Sequence, residues 1–331
     1  MNDLSHSVDF VPLDPRKFRH PAITAKGERR ASVALKRLET LWFNTGTLCN
    51  ITCANCYIES SPTNDRLAYL TRAEAAAYLD EIARLGLGTA EVGFTGGEPF
   101  MNPEILGLLE EALRRGFRVL VLTNAMQPMR RPRIATGLLR LREEHGGRLL
   151  LRISLDHPTA RLHDSERGQG SFDRTVAGID WLVANGFSIA IAGRSMWGEA
   201  EPAARAGYAR LFAERGWPLD ASDRSALVIF PEMDARRDVP EITTACWGIL
   251  KVSPDTMMCA TSRMVVKRKG AARPVVVPCT LLPYETAFEM GSSIAESLAA
   301  DGGMFESGAV RLCHPHCAKF CVLGGGSCAP G

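Results

Sequence analysis

The chain contains no apolar run approaching the ~20 residues that span a bilayer as a helix, which argues against a helical anchor within it. Its first residues, MNDLSHSVDFVPLDP, lack the apolar core of a signal peptide, so a cytoplasmic, reducing location is expected. No long run of like charge occurs and the formal net charge is +2, so neither a nucleic acid nor a membrane surface is expected as a partner. Cysteine is absent between residues 57 and 245, although the chain holds ten: three between 49 and 56, and seven from 246 to 328. In a reducing compartment two such groups read as metal or cluster ligands rather than disulfides. With 331 residues and 46% hydrophobic composition, a large core can be buried.

Residues 1–37 show little periodicity, with Pro12, Pro15 and Pro21 scattered through them, and read as a loosely structured arm ending in a strand at 32–35. Apolar strands are predicted at 40–44, 90–95, 118–123, 149–155, 188–193 and 226–230, with amphipathic helices between them. Thr71 and Glu74 form a capping box for a helix over 72–85, which Gly86 ends. Asn102 reads as a cap with Pro103 at the first helical position, and Ser171 as the cap of a helix over 172–185. Strand then helix, repeating every roughly 30–40 residues, implies parallel strands joined by helical crossovers. Six strands are too few for a closed eight-stranded barrel, leaving a partial barrel or a doubly wound sheet. From about 240 the helices give way to Cys, Gly and Pro with β-like runs at 264–267 and 274–277, which reads as a separate small module held by ligands more than by a core. Lys267–Gly270 reads as the solvated tip of its hairpin, and Gly324–Gly326 as backbone able to wrap sulfur or as a flexible tail.

Cys49, Cys53 and Cys56 follow directly after the first strand of the repeating pattern. A [4Fe–4S] cube normally takes four thiolates; withholding one leaves an iron open to a substrate, as a catalytic zinc keeps an open position. Zinc with a distant fourth ligand, an electron-transfer cluster with a distant fourth Cys, and three core thiols share the same spacing. Gly96-Gly97-Glu98-Pro99 ends the second strand, where glycines let backbone approach a ligand.

Cys-x3-Cys-x2-Cys after the first strand and Gly-Gly-Glu-Pro after the second resemble the radical S-adenosylmethionine (SAM) superfamily. The resemblance extends through Thr123-Asn124, Ser154-Leu155-Asp156, His163-Asp164, Arg167-Gly168 and Gly170-Ser171-Phe172, as in members with a C-terminal auxiliary-cluster extension. It implies an α/β fold: a partial (β/α)6 TIM-type barrel with a small Cys-rich C-terminal extension. The domains expected are an arm at 1–37, a radical SAM core at 38–239 and a SPASM- or twitch-like extension at 240–331. Carried over by position, Cys49, Cys53 and Cys56 ligate three irons and SAM chelates the fourth. Gly96, Gly97 and Glu98 meet the SAM amino group through backbone carbonyls, Ser154 and Arg167 its carboxylate, and Asn124 and Asp156 its ribose or methionyl part. The implied reaction passes one electron to SAM, giving methionine and a 5′-deoxyadenosyl radical that abstracts hydrogen from substrate. No residue is assigned as catalytic in its own right. Two departures stand out. The residue before the third Cys, usually aromatic in this family and laid against the adenine, is Asn55, with Tyr57 just beyond. The position after Asp156, commonly Gly, is His157, read as a buried structural histidine.

Cys246, Cys259, Cys279, Cys313, Cys317, Cys321 and Cys328 resemble the ligands of the SPASM and twitch extensions, which bind one or two further Fe–S clusters. The tail spacing, Cys-x3-Cys-x3-Cys-x6-Cys, departs from the usual SPASM gaps, and a zinc site with His314 or His316 is the competing arrangement. The expected function is a radical SAM enzyme, of oxidoreductase or maturase type, acting on a small metabolite or a peptide and fed by a flavodoxin or ferredoxin. The 39 residues before the first predicted strand of the barrel are too few for the winged-helix module that some peptide-modifying relatives carry, which tilts the reading slightly away from ribosomal peptides. A non-catalytic Fe–S or zinc scaffold is the alternative. A radical methyltransferase finds no cobalamin-type domain and no second cysteine pair in the barrel segment.

Overall fold

Successive side chains on a strand point to opposite faces, and here both faces of the main sheet are buried. The computed structural model describes residues 11–324. Six parallel strands, β2 (Thr40–Asn44), β3 (Glu91–Thr95), β4 (Arg118–Thr123), β5 (Leu149–Ser154), β6 (Ser188–Ser195) and β7 (Leu227–Pro231), lie side by side in chain order. The helices between them are α1 (Arg72–Leu85), α2 (Ile105–Arg114), α3 (Gln127–Arg130), α4 (Pro132–His145), α5 (Ala160–Arg167), α6 (Ser171–Ala184) and α7 (Glu201–Arg215). This is the expected partial barrel, and the strands fall within two residues of their predicted bounds.

Leu41, Phe43, Val92, Phe94, Val119 and Val121 pack outward against Leu79, Ile82, Leu108 and Leu109 of the helices. Trp42 and Leu120 face inward, onto Met258, Leu281, Leu282 and Phe320 of the C-terminal segment. The capping box at Thr71 forms as read and Gly86 closes α1 in the left-handed conformation. Two caps differ. The Asn102 side chain accepts from Glu104 N at 2.8 Å and donates to the carbonyls of Thr45 and Leu70, so α2 begins only at Ile105. Ser171 lies inside α6 and donates to Asp164. In both cases a tertiary partner outcompetes the local cap.

The sequence pattern after 240 suggests a module standing apart, but its strand β8 (Ser262–Val266) joins the barrel sheet parallel to β2, and β9 (Val275–Val277) follows antiparallel to it. Its other helices are short: α8 (Cys246–Leu250), α9 (Met258–Thr261) and α10 (Ile294–Ala299). At the opposite edge of the barrel, the π-helical turn Cys317–Leu323 packs Phe320 against Phe230 of β7, ring centroids 5.4 Å apart. The C-terminal segment therefore touches both flanks of the open barrel, and Trp42, Met264 and Phe320 belong to one buried apolar cluster. That core is shared with the barrel and the arm, so ligands are not the segment's only staple.

The N-terminal arm is also better anchored than its composition suggests. A small sheet joins β1 (Ser32–Val33) to β11 (Ala309–Arg311), with β10 (Phe305–Glu306) outside it. Arg30 and Glu241 form an ion pair with side chains 0% and 5% exposed, and Glu241 also accepts from Phe18 N at 2.7 Å and Ala25 N at 2.6 Å. Burial pushes the Glu241 carboxyl up, but these donors and Arg30 outweigh it and hold it below the usual glutamate range. Its stabilising contribution is therefore present at neutral pH and is lost as pH falls through that lowered value. Glu241→Ala leaves a buried guanidinium unpaired and is expected to cost roughly 3–5 kcal/mol in urea denaturation at pH 7. A loss below about 1 kcal/mol would remove the pair as the arm's anchor.

Candidate active site

In a parallel sheet the loops at the carboxyl ends of adjacent strands must be tied to one another by groups outside the ladder. The loop after β2 is tied by the turn after β3: Gly97 N donates to Gly46 O at 2.8 Å and Glu98 N to Leu48 O at 3.0 Å. The approach is so close that a Cβ on Gly97 would lie 2.1 Å from the Leu48 carbonyl oxygen. The glycine pair thus holds the backbone that enters the cysteine triad.

The motif predicts that Glu98 meets a ligand through its carbonyl; its side chain turns into the protein and is 2% exposed. The carboxylate accepts from Thr123 Oγ1 and Asn124 N, both at 2.9 Å, and from Phe100 N at 3.2 Å. Burial pushes its pKa up to about 7 against these donors. Asn124 closes the circuit, its Nδ2 donating to Asn50 Oδ1 at 2.9 Å within the triad loop.

Cys49, Cys53 and Cys56 line one cavity of about 160 Å³ together with Gly96, Gly97, Asn124, Ser154, Asp156 and Arg167. Of the sequence-predicted cofactor residues, Glu98 alone does not line it. Burial pushes the Cys49 thiol up to about 12, with the Glu98 charge adding to it, and Cys53 up to about 11, with Arg167 pulling the other way. Buried thiols of this kind are ligands when a metal compensates the thiolate charge.

Asp156 and Arg167 form a two-point pair at 2.7 and 2.9 Å. Arg167 is placed by the last turn of α5, and Asp164 organises the turn into α6 by accepting from Gly170 N at 2.7 Å and Phe172 N at 2.8 Å. Asp156 N donates to His163 Nδ1, whose pKa burial lowers to about 4. His157 is buried as read, its Nε2 3.0 Å from Glu199, and it lies outside this cavity.

Two members of the site escaped the sequence reading. Glu166 takes both the backbone N and the side-chain Nδ2 of Asn55, each at 2.8 Å, so the residue before the third cysteine is bound to α5 rather than to the cavity. Tyr57 lines the cavity in its place. Arg194, at the end of β6, donates Nη1 to Asn55 O at 3.2 Å and lies 3.6 Å from Glu166. Its Nε and Nη2 are buried without hydrogen-bond partners among the described residues, and the residue lines the cavity. Its position at a strand's carboxyl end was the only signal in the sequence. The far wall comes from Phe230, Met233, Leu281 and Phe320.

A second, smaller cavity is lined by four of the seven C-terminal cysteines: Cys259 on α9, Cys279 after β9, and Cys317 and Cys321 on the π-helical turn. Burial pushes Cys259 up to about 11 and Cys317 well above its ordinary value, and the charges of Cys279, Cys259 and Cys313 add to the latter. Cys313 instead directs its thiol at the carbonyls of Phe18 and His20, 3.4 and 3.5 Å away, and Cys246 Sγ accepts from Thr243 N at 3.3 Å. Cys328 lies outside the described residues. His316 lines this cavity but sets Nε2 2.9 Å from Met233 O, while His314 Nδ1 accepts from His316 N. Among the described residues no three His, Cys, Asp or Glu side chains converge on a point that a single metal ion would occupy.

Residues 43–197 match the family model of the radical SAM superfamily. The chain is 30% identical over 202 residues to the antilisterial bacteriocin subtilosin biosynthesis protein AlbA of Bacillus subtilis, covering 60% of this chain and 42% of that one. It is 32% identical over 135 residues to an AdoMet-dependent heme synthase of Methanosarcina barkeri, covering 40% and 36%. In both cases the match spans less than half of the relative's length. The fold resembles that of Streptococcus suis SuiB bound to precursor peptide SuiA, with TM-score 0.59 at 12% identity, over 81% of this chain and 66% of that one.

Gly97→Ala is expected to push the triad loop off its seat, because the clashing atom is backbone and cannot swing away. The expected result is a loss of about 1–3 kcal/mol in stability and of most triad-bound iron after reconstitution. Iron retention equal to that of the unaltered protein would show that the clamp does not position the triad.

Proposed function

We propose that this chain, which belongs to the radical SAM superfamily through its domain at residues 43–197, cleaves SAM reductively and uses the product radical to abstract hydrogen from a peptide substrate. The observation that carries this reading is the single cavity shared by Cys49, Cys53, Cys56, the Gly96–Gly97 turn, Ser154, Asp156 and Arg167. When bound at the triad, a [4Fe–4S] cluster with one open iron supplies the electron that breaks a carbon–sulfur bond of SAM.

The chain's own residues bind and orient. The Gly96–Gly97 turn offers backbone oxygen to the SAM amino group. Asp156 occupies two of the five N–H donors of Arg167, leaving three for the SAM carboxylate beside Ser154. The buried N–H groups of Arg194 supply a further charged contact to that carboxylate. Tyr57, rather than Asn55, presents an aromatic face to the adenine. Phe230, Met233, Leu281 and Phe320 give the cavity an apolar wall that excludes water.

Cys259, Cys279, Cys317 and Cys321 hold one auxiliary Fe–S cluster in this reading, leaving Cys246 and Cys313 as thiols. A one-electron donor of flavodoxin or ferredoxin type reduces the enzyme. A peptide substrate is supported by the names of AlbA, a bacteriocin biosynthesis protein, and of the SuiB–peptide complex. A small-molecule substrate is the second reading, favoured by the likeness to a heme synthase.

Anaerobic reconstitution with iron and sulfide, then addition of SAM and dithionite, is expected to yield 5′-deoxyadenosine. Cys53→Ala should abolish that product yet keep the iron and sulfide of the C-terminal site; product formation by the variant would overturn the assignment of the triad. Reconstituted clusters with no SAM cleavage under any reductant would favour a scaffold instead. Arg194→Met is expected to raise the Kd for SAM about tenfold or more at unchanged iron content, a charged hydrogen bond being worth about 1.5–3 kcal/mol. An unchanged Kd would take Arg194 out of the SAM site.

A further inference from the structure

The other buried or nearly buried arginines here lie by carboxylates: Arg30 pairs with Glu241 and Arg167 with Asp156, and the charge of Arg152 acts on Glu91. Arg263 on β8 differs. It is 0% exposed, and its guanidinium reaches only backbone carbonyls. Nη1 donates to Cys259 O at 2.7 Å and Ser262 O at 2.8 Å, Nη2 lies 3.4 Å from Gly308 O, and Nε has no hydrogen-bond partner among the described residues. The ionisable groups that act on it are the thiols of Cys259 and Cys279, while burial depresses its pKa to about 10. A guanidinium taken out of water without an anion costs several kcal/mol, and carbonyl dipoles offset only part of that. The charge that completes its environment belongs next door. Cys259 and Cys279 line the four-cysteine cavity, and an Fe–S cluster on four thiolates is a net anion in its oxidised and reduced states alike.

We propose that Arg263 is the built-in counter-charge of the C-terminal cluster and raises its reduction potential by stabilising the more negative, reduced form. The inference rests on the reading of Cys259, Cys279, Cys317 and Cys321 as the ligands of that cluster. Arg263 acts through space and through the Cys259 carbonyl. It touches neither SAM nor substrate, so it is a positioning residue whose effect reads out in a potential rather than in turnover.

The test uses the full-length chain carrying Cys49→Ala, Cys53→Ala and Cys56→Ala, so that only the C-terminal site can hold iron. Reconstituted protein is titrated with dithionite while the reduced cluster is monitored by electron paramagnetic resonance. If this background binds no iron and sulfide, the cluster reading itself falls before Arg263 is altered. If it binds a cluster, Arg263→Gln is expected to lower the reduced-to-oxidised ratio at a fixed potential at least tenfold, about 59 mV for a one-electron couple. Arg263→Lys, which keeps the charge, should stay within about threefold of the parent. Loss of the cluster in Arg263→Gln with retention in Arg263→Lys would likewise support a counter-charge. Unshifted potentials in both variants, equal shifts in both, or loss of the cluster from both would overturn the proposal, since charge would then not be the property that matters.

Discussion

Two backbone hydrogen bonds, Gly97 N to Gly46 O and Glu98 N to Leu48 O, hold the active-site loop to the barrel, and the remaining site geometry is built outward from them. Parallel strands share no hairpin, so nothing in the ladder fixes how their terminal loops sit relative to one another. The turn after β3 solves this by donating its N–H groups backward to the loop after β2. The Glu98 carboxylate then collects donors from the end of β4, and Asn124 passes the connection on to Asn50. Three adjacent strand ends are closed into a ring of hydrogen bonds around the triad. The residue pattern that suggests a ligand-contacting turn is therefore structural first, and its exposed backbone oxygen is what remains for a ligand.

Around that ring the charges alternate. Asp156 faces Arg167, Glu166 faces Asn55 and Arg194, and both arginines line the cavity. Each arginine is thereby restrained by an acid before any ligand arrives, so little side-chain entropy is left to lose when an anionic group is bound.

The barrel strands and the triad could be read from sequence because both are local. Period and punctuation mark each strand–helix unit, and Cys49, Cys53 and Cys56 are neighbours in the chain. What escaped was non-local. The pairing of β8 beside β2 joins Thr40 to Ser262, and no periodicity announces a partner so far away. The inward turn of the Glu98 side chain depends on Thr123 and Asn124, and the withdrawal of Asn55 from the cavity depends on Glu166. The C-terminal cysteines could be counted but not sorted, because residues 259, 279, 317 and 321 meet only once β8, β9 and the π-helical turn are in place. The tail ending in Cys328 lies outside the described residues.

Leu281 lines both cavities. The barrel chamber and the cysteine chamber share this aliphatic side chain as a wall, and neighbouring residues Phe320 and Cys321 of the π-helical turn face one chamber each. His316 adds a polar link beside it, lining the cysteine chamber while its Nε2 lies 2.9 Å from the carbonyl of Met233 in the barrel chamber. The fold thus sets the two chambers back to back across one shared aliphatic wall, so that whatever each holds is kept near the other without sharing its solvent.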